Sequence, residues 1–96
     1  MQRGNHDMPA PGDIVQNFRR ELDHSGTNHL YQVLTVANHI DTGETLVILK
    51  KLFGGFNTYA IPIASFNAQV DHNIYPDIKQ KYVYSYYNFK YLGDVR

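Results

Sequence analysis

Ninety-six residues, 43% of them apolar and 14% aromatic, make one small domain with enough apolar surface for a single core. Nine basic side chains balance nine acidic ones, so bulk charge calls for neither a nucleic acid nor an anionic membrane. Cysteine is absent, which excludes disulfides, thiol catalysis and Cys-ligated metal sites.

No run approaches the roughly 18 apolar residues of a membrane-spanning helix, and the polar start carries no apolar signal core. The composition reads as a soluble, cytoplasmic protein. Residues 1–11 are polar, hold Pro9 and Pro11, and have no hydrophobic period. They read as a flexible leader to a single domain over 12–96.

Gly12-Asp13 is a turn signal, and Ile14–Phe18 predicts a short first strand. Arg19–Leu22 either extends that strand or begins a helical turn. Asp23–Asn28 is a loop dense in turn formers. Leu30–Asn38 predicts a second strand with apolar residues on both faces, which suits a central position. Tyr31, Val33, Thr35, Ala37 and His39 share one of those faces by simple alternation.

Asp41-Thr42-Gly43-Glu44 reads as a hairpin turn with Gly43 in the left-handed position. Thr45–Leu52 predicts the third strand, with Val47, Leu49 and Phe53 on one side. Gly54-Gly55 allows a second reversal, and Phe56–Ile63 predicts a fourth strand ended by Pro62. Ile63–Phe66 has the length of a single 3-10 turn. Ala68–Val70 reads as a short strand, and Lys81–Leu92 as a last, Tyr-rich one. Short strands in series with tight turns predict an all-β fold: a small barrel of five to six strands with one 3-10 turn.

The chain also resembles a family of short bacterial proteins known as domain-of-unknown-function family 1653. The residues that carry this are Gly12–Gln16, Phe18–Glu21, Tyr31-Gln32-Val33, Ala37-Asn38-His39 and Thr42-Gly43-Glu44. They continue through Leu52-Phe53-Gly54, Tyr59–Pro62, Phe66 and Val70-Asp71-His72 to the specific run Tyr75–Tyr82. The resemblance implies an SH3-like β-barrel and implies no activity. The chain departs from the family pattern at Asn17, usually His, at Ile40-Asp41, usually Glu or Ser-Glu, at Leu49, where Tyr is favoured, and at Ile61, usually Arg.

Three constellations could carry chemistry. His39, Asp41 and Glu44 surround one turn; three donors on an exposed turn are too few for a closed metal site, and turn chemistry accounts for them. Asn17, Arg19 and Arg20 suit an anion, but surface charge is the favoured explanation of them, and neighbours along a strand would face opposite ways. Tyr82, Tyr84 and the following tyrosines, interleaved with Lys79, Lys81 and Lys90, form the strongest lead. Aromatics beside cations bind extended peptides or single-stranded nucleic acid, and they also simply cover cores.

No catalytic motif, metal ligand set or cofactor motif is present, so no enzyme activity is expected. The function read from the sequence is a binding module for a peptide or protein partner. Its groove would be lined by Tyr31, Tyr59 and C-terminal tyrosines such as Tyr82 and Tyr84. A second reading is a small-molecule or anion site, or a weak enzyme, which needs His39, Glu44 and Arg19 to converge. Single-stranded nucleic acid is the less favoured partner, and self-association through the C-terminal strand is a further reading.

Overall fold

Two β-branched runs set the centre of the sheet. In a computed structural model, which describes residues 8–87, they form β2 (Leu30–Asn38) and β3 (Thr45–Lys51). The other strands are β1 (Ile14–Asn17), β4 (Thr58–Pro62) and β5 (Tyr84–Tyr86). All five join one antiparallel sheet in the order β4-β3-β2-β1-β5. The expected small all-β fold is present, with the long β2 in the middle and the sheet open between β4 and β5.

The β2–β3 turn is built as its residues dictate. Gly43 takes φ +74, a region that costs a glycine little. Its N–H donates to the His39 carbonyl at 2.8 Å, and the His39 N–H donates to the Glu44 carbonyl at 2.8 Å. Pro62 is the last residue of β4, as expected.

Simple alternation along β2 fails at one point. The pairing with β3 runs Val33↔Leu49 and then Thr35↔Ile48, so one extra residue is accommodated there. This bulge bends the strand and carries Val36, not Thr35, to the side of Val47. Thr35 is exposed and Val36 half-buried, the reverse of what alternation from Val33 implies.

The inner face of the bent sheet holds the main core: Val15, Val33, Val47, Leu49 and Phe66. Phe66 comes from α1 (Ile63–Phe66), a single helical turn. This turn is α-helical where a 3-10 turn was expected. The Asn67 N–H reaches the Ile63 carbonyl at 3.0 Å and closes the wider ring. Tyr84 of β5 stacks on Phe66 with centroids 5.5 Å apart.

The 3-10 helix lies elsewhere, at Phe18–Glu21 directly after β1. Asn17 caps it by accepting the Arg19 N–H at 3.0 Å, and Asn17 is 5% exposed. Arg19 and Arg20 are therefore helical neighbours and not strand neighbours, and the opposite-face argument does not apply to them.

The long segment from α1 to β5 packs as an arm against that helix. Phe18, Val70 and Ile78 form a second buried cluster, with Tyr75 set edge-on to Phe18 at 4.9 Å. Glu21 accepts the N–H groups of Lys79 at 2.8 Å and Gln80 at 2.6 Å. The Gln80 side chain donates to the carbonyls of Gln16 and Tyr82 and accepts from Gln16 Nε2. The strand expected at Ala68–Val70 reduces to one bridge, Gln69↔Tyr82, flanked by the backbone bonds Val70 N–H to Lys81 O and Val83 N–H to Ala68 O.

The Tyr-rich strand expected over 81–92 is strand only at 84–86 within the described residues, and positions 88–92 lie outside them. Residues 1–7 of the expected leader lie outside as well. Its last part is packed: Pro9 is buried, the Ala10 N–H donates to Asp13 Oδ2 at 2.8 Å, and the Gly12 N–H to the Val33 carbonyl at 2.8 Å.

Candidate functional site

One end of the inner face is lined by aromatic rings. Tyr31, at the start of β2, lies on the same side of the sheet as Val15 and Lys51, its cross-strand partners. Its ring meets Phe53 at 5.5 Å and Tyr84 at 5.5 Å, both nearly perpendicular. His29 lies 5.3 Å from Phe53 on the far side. Edge-to-face pairs of this kind contribute about 0.5–1.5 kcal/mol each beyond their buried area, so the row is held firmly.

The β3–β4 hairpin brings the remaining parts. Leu49↔Tyr59 pairing turns Tyr59 to the same side. Lys51 Nζ stands 4.7 Å from the Phe53 ring centre and 5.9 Å from that of Tyr59. Tyr59 is 44% exposed and Phe56, in the turn before it, 55% exposed. Among the described residues no carboxylate pairs with Lys50, Lys51 or Arg19. The result is a wettable aromatic platform carrying an unneutralised ammonium, a combination suited to recognition.

Burial pushes the Tyr31 phenol up to about 12, with Tyr84 and then Tyr59 adding to the shift and Arg19 opposing it. The native state therefore holds a proton between pH 10 and about 12 that the unfolded chain has released. Stability contributed by this group is complete below pH 10 and is lost as pH rises through about 12. An ultraviolet titration of the phenols is expected to show a late ionising phase that Tyr31→Phe removes. Persistence of that phase in the variant contradicts the assignment.

Four of the residues singled out from sequence, Arg19, Tyr31, Tyr59 and Tyr84, thus gather at one end of the sheet. Tyr82 does not join them. It is only 9% exposed, sits in the bridge to Gln69, and has Lys81 Nζ 5.5 Å from its ring. His39 and Glu44 lie at the opposite end of β2, roughly 25 Å of strand away at about 3.3 Å per residue. The His39 ring is engaged locally, its Nδ1 accepting the N–H of Asp41 at 3.1 Å and of Thr42 at 3.3 Å. The convergence of His39, Glu44 and Arg19 that an acid–base site needs is not formed.

Arg20 turns away, donating to the carbonyls of Asn28 at 2.8 Å and Gly26 at 3.2 Å. Arg19 lies over the Phe18 ring at 4.7 Å and donates to Asn17 Oδ1 at 3.4 Å. Two of the positions that depart from the family pattern, Asn17 and Ile61, face the inside of the sheet, Asn17 opposite Tyr84 and Ile61 opposite Val47. Ile61 packs on the main core, a place where a cation would need a partner.

Phe53 and Lys51 were not singled out from sequence. The signal was available: Leu49, Lys51 and Phe53 follow each other at a two-residue period on the face of Tyr31. It was missed because a lysine on the inner face reads as a surface residue until the register is known.

No membrane-length apolar helix exists among the described residues. No curated protein and no solved structure matches the chain. Residues 24–80, which run from the loop before β2 to near the end of the arm, match the family described as "Protein of unknown function (DUF1653)", and the chain belongs to that family.

Proposed function

We propose that the protein is a non-enzymatic binding module that takes an extended peptide segment of a partner protein at the aromatic end of the sheet. The observation that carries this reading is the Tyr31–Phe53–Tyr59–Tyr84 platform with Lys51 over two of its rings. Tyr31, Tyr59 and Tyr84 sit on strands, and Phe53 in the β3–β4 turn is held edge-on against Tyr31, so little conformational entropy is lost when a ligand docks. The acid–base residues that an enzyme reading requires stand at the far end of β2.

The test is an NMR titration of the full chain with pools of short peptides (acidic, basic and Pro-rich) and with single-stranded oligonucleotides. A peptide pool is expected to saturate shifts at Lys51, Phe53 and Tyr59. Tyr59→Ala, at an exposed edge position, should weaken binding by about tenfold or more, as truncation of an aromatic anchor does, while the thermal midpoint hardly moves. Saturation by oligonucleotide alone would replace the peptide reading with a nucleic-acid one. Silence against every pool removes the proposal.

A further inference from the structure

We infer that the segment bound is an acidic, extended strand that pairs with the outer edge of β4. This inference rests on the peptide-binding reading above and specifies how the peptide is held.

The phasing of the β3–β4 ladder decides which groups of β4 are free. The Lys51 N–H donates to the Asn57 carbonyl at 2.9 Å, which makes Lys51 and Asn57 a hydrogen-bonded pair. Antiparallel pairs alternate, so Leu49↔Tyr59 and Val47↔Ile61 are bonded pairs too. Tyr59 and Ile61 therefore spend their backbone groups on β3. Thr58 and Ala60 point theirs outward, and Pro62 presents an outward carbonyl.

Pro62 fits this phase, since the N–H it lacks would have faced outward. Among the described residues nothing donates to or accepts from the outward groups of Thr58, Ala60 and Pro62. β4 is one edge of the sheet, and its first three residues are exposed. A free edge of this kind is a template for an added strand.

Side chains on the two faces of β4 specify the strand that fits. The inner face offers Tyr59 and Ile61, so residues of the incoming strand on that side should be apolar. The outer face offers Thr58 and Ala60, with Lys50 directly opposite Thr58 on β3. Lys51 stands near the Tyr59 ring on the inner face. Both faces of the edge thus meet a cation, and no carboxylate among the described residues neutralises either one. The acids Asp41 and Glu44 belong to the hairpin at the other end of β3. Charge complementarity selects an acidic peptide over a basic one and over a second copy of this edge, which would bring its own lysines.

The probe is a seven-residue peptide alternating Glu and Val, capped at both ends, titrated into the full chain while amide exchange is followed residue by residue. Exchange at Thr58 and Ala60 is expected to slow by roughly tenfold or more at saturation, with little change at Tyr59 and Ile61, which are already bonded. Two N-methylated versions, blocked on alternate amides, should differ: one phase abolishes binding and the other retains it. The Lys-Val counterpart should bind at least severalfold more weakly, the difference shrinking with salt.

Binding that shifts Tyr59 and Phe53 without protecting Thr58 and Ala60 overturns strand addition and leaves the aromatic site standing. Protection that grows with protein concentration and needs no peptide assigns the edge to a second copy and overturns the inference. Equal affinity for the Lys-Val peptide overturns the acidic preference. Loss of binding to every peptide removes this inference together with the reading beneath it.

Discussion

Phe66→Ala is expected to remove about 3–5 kcal/mol of stability, the usual cost of emptying a fully buried aromatic site. Small domains hold about 5–15 kcal/mol in total, so the variant sits near the edge of folding at room temperature. The reason is positional. The sheet is open between β4 and β5, and Phe66 of α1 packs on its inner face and against Tyr84 of β5. It is 2% exposed, packs with Val15, Val33, Val47 and Leu49, and stacks on Tyr84 at 5.5 Å with an interplanar angle of 5°. A single helical turn has no stability of its own and exists only because this ring is anchored. Chemical denaturation with an unchanged m-value, and a thermal midpoint lower by at least about 12 °C, should be observed. Phe66→Leu, which keeps most of the apolar volume, should cost clearly less. A loss below about 1 kcal/mol in the alanine variant would mean that the core closes without α1.

Much of this arrangement was legible because β-branched alternation and turn residues act locally. The runs at 30–38 and 45–51, the glycine in the hairpin and the proline that ends β4 all follow from single-residue preferences. The bulge at Leu34 was not legible. Val33, Thr35 and Ala37 alternate perfectly on paper, and only the register against Leu49 and Ile48 reveals the extra residue. The 3-10 helix at Phe18–Glu21 was half visible: Asn17 is a good cap, yet Arg19–Leu22 fits a strand extension equally well. The arm defeats pattern reading because isolated backbone bonds and side chains hold it, not a ladder. The contact between the Glu21 carboxylate and the Lys79 and Gln80 amides leaves no periodic trace in a sequence.

The candidate site follows the same division. Tyr31 and Tyr59 could be paired in advance, since both belong to inner faces of neighbouring hairpins. Tyr82 and Tyr84 looked equivalent because they alternate with Val83 in one run. The strand begins only at Tyr84, so alternation does not reach back to Tyr82, which is buried beside Gln69. His39 and Glu44 belong to a turn whose geometry uses the imidazole as an acceptor. Their distance from Arg19 is a consequence of strand length, which was read correctly but not carried through to the site.

Ile78→Ala tests whether the second cluster is a separate unit. Ile78 is 6% exposed and packs with Phe18 and Val70 beneath Tyr75 and Val83. Truncation should cost about 2–5 kcal/mol by the lost burial and the cavity. Where the loss appears is the sharper question. The arm is closed on itself by the bonds Val70 N–H to Lys81 O at 2.8 Å and Val83 N–H to Ala68 O at 2.9 Å, and it is joined to the 3-10 helix after β1 by Phe18 N–H to Val83 O at 2.9 Å. It also hangs on Glu21 and Gln80, both outside the main core. Local opening of the arm would therefore leave Val33 and Val47 packed. Amide exchange in Ile78→Ala is expected to lose most protection at Val70 and Val83 and much less at Val33 and Val47. Uniform loss across all four would mean that the two clusters open together, and that the arm supports the floor beneath Tyr84 as strongly as Phe66 does. In that case Ile78→Ala should also weaken peptide binding at Tyr59, although Ile78 belongs to the other cluster.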